Sequence, residues 1–133
     1  MTIIRVLAVV LLAFTLPGCA AAALAIGSVA FGTGVDHTLG GIVYRTFASS
    51  VSHTRKAVLK TLRRMDMPVS KDVATEEGWE ITATATERTI EIELEVLSRR
   101  TTRMRVVAND GDFFLKDSAT AEEIAAQTAR SFE

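Results

Sequence analysis

Three consecutive runs of alternating residues constrain this chain more than anything else in it. Trp79, Ile81, Ala83 and Ala85 alternate with Glu80, Thr82, Thr84 and Thr86. Ile90, Ile92, Leu94 and Val96 alternate with Glu91, Glu93 and Glu95, and Thr102, Met104, Val106 and Ala108 with Arg103, Arg105 and Val107. A period of two sends every second side chain to the same face, so each run reads as a half-buried strand with one apolar face. Together they predict an antiparallel β-meander. With Ser98-Arg99-Arg100 as a three-residue loop, Val96 faces Thr102 and Leu94 faces Met104, while Glu95 and Glu93 face Arg103 and Arg105. Opposite charges directly across strands contribute about 0.2–1 kcal/mol each, and a slip of one residue would bury them. The Glu87-Arg88 turn sets Ala83 against Ile92 and Ile81 against Leu94, although it lacks the Gly or Asn that tight hairpins favour.

The flanking segments supply helices and two shorter strands. Ile42 to Phe47 alternates enough for a strand, and Ser49 and Ser50 are candidate N-caps for the helix after it. Val51, Val58, Leu62 and Met65, with Leu59 beside them, mark this amphipathic helix from Val51 to Met65. Arg55, Lys56, Lys60, Arg63 and Arg64 take its other face; Arg63 and Arg64 suit the dipole at its end. That face is expected to be solvated, with anionic headgroups as the other partner it could meet. Pro68 stops the helix, and Val69 to Val73 can form a second short strand. Asn109-Asp110-Gly111-Asp112 is expected to turn and Phe113-Phe114-Leu115 to re-enter the core. Asp117 or Ser118 is expected to cap a last helix, with Thr120 to Glu123 as a capping box and Ala121, Ile124, Ala125, Thr128 and Phe132 as its stripe. Two helices over one face of the meander would cover Trp79, Ile92, Leu94 and Val106. The expected fold class is α+β, a two-layer sandwich of an antiparallel meander with both helices on one face. About 90 residues make a small core.

Composition excludes some function classes. There are 15 Lys+Arg against 16 Asp+Glu, a formal net charge of −1, so no basic excess exists to recruit nucleic acid by counterion release. One cysteine rules out a disulfide within one copy. His37 and His53 have no Cys, Asp or Glu at metal-ligand spacing, and the 109–112 turn lacks the twelve-residue pattern of a calcium loop. Glu91 and Glu93 could in principle do acid/base work, but a solvated strand face favours a structural ladder. Tyr44, His53 and Asp112 would have to meet in one pocket to make an enzyme. No cofactor, metal or catalytic residue is expected.

The N-terminus has the parts of an export signal. Arg5 gives the n-region its charge, and Val6 to Leu16 is an apolar stretch too short to span a bilayer. Leu16-Pro17-Gly18-Cys19 resembles the bacterial lipobox, with Pro17 where Ala, Ser, Thr or Val is usual. In that chemistry the Cys19 thiol is alkylated by a diacylglycerol, the Gly18–Cys19 bond is cut, and the new amine is acylated. Two acyl chains make a stable anchor where one is marginal. Two alternatives remain open: an ordinary signal cut within Ala20 to Ala23, and an uncut helix running to about Phe31. Pro17-Gly18 argues against the second. Ala20 to Val35 is small and apolar, a tether along the membrane surface or a close-packing helix face. Asp36, His37 and Gly40-Gly41 mark the hinge that ends it. The expected layout is a signal peptide over 1–18, lipidated Cys19 and tether over 19–41, and an α+β domain over 42–133.

Lipobox, Gly/Ala-rich tether, helix, meander and closing helix together resemble a family of small bacterial lipoproteins of unknown function. The resemblance is carried most by Leu16 to Cys19, Tyr44 to Leu62 and the Glu/Arg-patterned strands. It implies a location and a fold but no activity. The expected protein is a non-enzymatic adaptor or binding module, held in the cell envelope through lipidated Cys19 and facing the periplasm. Ala20 after the cysteine resembles the pattern sent to the outer membrane. Its partners are the membrane and an envelope protein. The alternative is a small-ligand or lipid binder using a groove between helices and sheet.

Overall fold

The computed structural model describes residues 37–111 and 116–132. The expectations for the signal, Gly18, Cys19 and the stretch 20–35 lie outside these residues, as do those for Asp112 and Phe113-Phe114-Leu115.

In chain order the elements are β1 (His37–Leu39), β2 (Ile42–Phe47), α1 (Val51–Arg64), β3 (Val69–Ala74), β4 (Gly78–Ala85), β5 (Arg88–Ser98), β6 (Thr101–Asp110) and α2 (Ser118–Arg130). They form an α+β fold with one antiparallel six-stranded sheet, ordered β1-β2-β6-β5-β4-β3. The meander expected from alternation is its centre. Helix α1 carries the chain from β2 across to β3 at the far edge, so β2 pairs with the last strand rather than with the next one.

Gly40-Gly41 is not a hinge but a tight turn. Both residues take positive φ, 56° and 79°, the mirror-image turn that matches strand twist and that only glycine adopts cheaply. It pairs His37 with Tyr44 and Leu39 with Ile42, so the sheet begins ahead of the expected Ile42.

Between β5 and β6 the expected pairs are all present: Val96 with Thr102, Leu94 with Met104, Glu95 with Arg103 and Glu93 with Arg105. The loop differs. Ser98 pairs with Thr101 across a two-residue turn, and a bulge at Leu97 absorbs the extra residue. The β4–β5 register needs correction: Ala83 pairs with Ile90, Ile81 with Ile92 and Trp79 with Leu94. The turn is Thr86-Glu87, with Thr86 held at φ 54°. A shift of two residues keeps every side chain on its face, so the apolar pattern could not tell the registers apart. Asn109 and Asp110 likewise extend β6, opposite Thr89 and Arg88, rather than turning.

Both helices cover the face carrying Ile81, Ile92, Leu94, Met104 and Val106, all at most 2% exposed. Val58 and Leu62 of α1, Ile124 of α2 and Phe47 of β2 complete that core. Ser50 is the N-cap of α1, accepting from the His53 amide at 3.4 Å. Asp117 caps α2, accepting from the Thr120 amide at 3.1 Å and the Thr120 hydroxyl at 2.6 Å. Asp117 is one of the two expected caps, and Thr120, the first residue of the expected box, is the one it holds. No described helix is long and apolar enough to cross a membrane.

Candidate functional site

Because both helices lie on one side, the described residues leave the bare face of the sheet, its β1 and β3 edges, and the seam between the β3 edge and α1. The bare face carries Tyr44 on β2, Arg103 and Arg105 on β6, Glu91, Glu93 and Glu95 on β5, and Glu80 on β4. Arg105 reaches Glu93 at 3.2 Å, Arg103 donates to Glu95, and Lys71 reaches Glu80 at 2.8 Å. Glu80 and Glu93 stand directly opposite one another, a repulsive pair held by the cations on either side. A shallow groove of about 510 Å³ runs between these side chains. It is the ladder foreseen from alternation.

The seam is held by a cluster that local sequence patterning does not announce. Arg55 of α1 donates through Nε (2.8 Å) and through its terminal nitrogen to the Asp72 carboxylate of β3. The Trp79 indole N–H of β4 donates to the same carboxylate, and the Arg55 guanidinium lies over the Trp79 ring at 4.6 Å. Arg55 holds the Asp72 carboxyl below the usual carboxylate range, and the Trp79 bond adds to this against the opposing effect of burial. The Arg55 pKa is raised in turn, first by its bond to Asp72. The signal that could have found Arg55 is its place four residues before Leu59, on the flank of the apolar stripe. Asp72 had no signal, because its partner lies 17 residues away.

Two more cations of the supposedly solvated face are also engaged. Lys60 donates to the Ser131 carbonyl at 3.4 Å, and Arg64 to Gln127 Oε1 at 3.3 Å and Ser131 Oγ at 3.0 Å. They satisfy carbonyls and side chains at the end of α2.

Beside the cluster, α1 and β3 bound an open groove of about 500 Å³, lined by Leu59, Arg63, Asp66, Met67, Val69 and Asp72. Deeper in, the space between helices and sheet is filled: Val58, Leu62, Ile81 and Ile92 are fully buried. The open space at this seam is thus a lateral cleft beside a filled interior.

Of the polar residues considered for catalysis, Tyr44 and His53 lie on opposite sides of the sheet. Tyr44 stacks on His37 at 4.8 Å on the bare face, whereas His53 packs edge-on against Phe132 at 5.5 Å on the helical side. Glu91 and Glu93 are exposed on the bare face, Glu93 beside Arg105. Among the described residues no group of three His, Cys, Asp or Glu is placed to hold a metal ion.

These features define a class: a small α+β domain that offers a sheet face, an open edge and a cleft. The chain belongs to the family described as "Protein of unknown function (DUF3568)", whose model matches residues 2–127. No curated protein matches the chain at a significant level. The match agrees with the expected kinship to a family of unknown function.

Proposed function

We propose that this chain is a lipid-anchored cell-envelope protein whose domain is a non-enzymatic adaptor presented to the periplasm. The observation that carries the adaptor reading is the one-sided fold: both helices pack on one face, leaving the ladder face and the β3 edge free for a partner. The anchor is supported by the lipobox-like Leu16-Pro17-Gly18-Cys19 and the lack of a second cysteine to pair with Cys19. Ala20 favours the outer membrane as destination.

Growth with labelled palmitate tests the anchor. Label retained by wild type and lost from Cys19→Ala is the expected result; wild type without label overturns it. Recovery with the inner membrane on fractionation overturns the outer-membrane destination. The small-ligand alternative is supported by the α1–β3 cleft and opposed by the filled interior. A stoichiometric lipid in an organic extract of Cys19→Ala protein would favour it over the adaptor reading.

A further inference from the structure

Among the described residues strand β3 is an uncovered edge, five of its six residues exposed, with Val69 at 40% and Val73 at 41%. An edge strand presents unpaired N–H and C=O groups, a template for another strand. Along its inner side runs the cleft lined by Leu59, Met67 and Val69. We propose that β3 takes up an extended, acidic-apolar segment of a partner protein as a seventh strand. Its inward side chains enter the α1–β3 cleft and a carboxylate on its outward face stands beside Lys71. This deepens the adaptor reading and rests on it, independently of the lipid anchor.

Three observations lead there. First, faces alternate along a strand. Asp72 and Val69 share the helix-covered face with their partners Ile81 and Ala83, while Lys71 and Val73 share the bare face with Thr82 and Glu80. An added strand would drop every second side chain over the cleft, where Leu59 and Met67 already pack against the core. Apolar groups there continue that core. Second, the row across the bare face runs Arg105, Glu93, Glu80 and Val73 from β6 outward, and Lys71, across from Thr82, reaches diagonally to Glu80 at 2.8 Å. Lys71 is the cation nearest the edge, and a carboxylate on an added strand gives its exposed ammonium a second partner. Third, the strand is held in place before anything binds. Arg55 and Trp79 both fasten Asp72, and the Ser70 hydroxyl donates to the Thr82 carbonyl at 3.3 Å. Little ordering is left to oppose binding.

A second copy of this chain does not fit. The two antiparallel self-pairings that overlap most of β3 put Lys71 opposite Lys71 or Asp72 opposite Asp72, like charges face to face. The Lys71 ammonium, which an added strand must bring a partner for, also disfavours chance pairing with neutral strands.

The test uses the full chain in detergent micelles against an array of octapeptides alternating apolar residues with acidic, basic or neutral ones. Retention of the acidic-apolar set is expected, at least tenfold weaker for Lys71→Glu, with the basic-apolar set then preferred. Lys71 is exposed and paired only at the surface, so the variant keeps its fold, which amide spectra check. In ¹⁵N-labelled protein a retained peptide should shift the amides of residues 69–74. Equal retention of all sets, an unchanged preference in Lys71→Glu, or concentration-dependent self-association through β3 would each overturn the proposal. Shifts centred on Glu91, Glu93 and Arg105 would overturn the edge while leaving the adaptor reading standing.

Discussion

Removing the Asp72 carboxylate probes the seam most directly. It accepts two hydrogen bonds from Arg55 and one from Trp79, and the two charged side chains are 29% and 24% exposed. Exposed ion pairs are worth roughly 0–1 kcal/mol, whereas hydrogen bonds to charged groups reach about 1.5–3 kcal/mol. This pair lies between, so Asp72→Ala should cost about 2 kcal/mol, because the indole N–H and the guanidinium both lose their acceptor. Asp72→Asn keeps one acceptor and should cost about half as much. Urea denaturation followed by emission of Trp79, the single tryptophan, reads both values. The pH dependence has a definite sign. Arg55, and then Trp79, depress the folded pKa of Asp72. Its contribution is therefore complete above the unfolded carboxylate pKa of about 3.9 and lost as pH falls through the lower folded value. The gap between wild type and Asp72→Ala should be widest at neutral pH and close in acid. A gap below about 0.5 kcal/mol at pH 7, or one unchanged in acid, would refute this reasoning.

Other substitutions test other parts of the fold. Leu62→Ala, at a fully buried site, should cost about 2–5 kcal/mol in thermal or urea unfolding, the range for core truncations. Gly78→Ala would place a Cβ 1.8 Å from the Leu94 carbonyl oxygen, so the start of β4 must part from β5. Faster hydrogen exchange at the Val96 amide, which donates to the Glu77 carbonyl, would report it. Charge reversal at Glu95 or Arg103 alone should lower stability by about 0.2–1 kcal/mol, and the double reversal should restore it. Asp117→Ala should fray the start of α2, seen as lost helical circular dichroism. The Thr120 side-chain bond and then its amide hold the Asp117 carboxyl low, so wild type approaches the variant as pH falls below the ordinary carboxylate range.

The surfaces differed in how far they could be read ahead. The Glu/Arg ladder was legible because the partners of Glu93 and Glu95 lie across a short hairpin, where alternation and charge specify register together. The β4–β5 register was not, since its alternatives differ by two residues and leave every face unchanged. Arg55 was read as solvated because its sign and spacing are those of a surface helix. Only the placement of β3 beside α1 brings Asp72 under it.

By itself the sequence determined the α+β class, the meander with its inward set and the helix spans. Those features follow from periods of two and 3.6 and from local chemistry, which neighbouring residues decide among themselves. The tertiary structure alone decided that β2 would lie beside β6, leaving β3 at one edge of the sheet. It also decided that Arg55, Asp72 and Trp79 would meet, and that the space under the helices would fill while the cleft beside them stayed open. Such outcomes depend on contacts between residues far apart in the chain, where competing arrangements bury similar apolar area and the choice falls to packing.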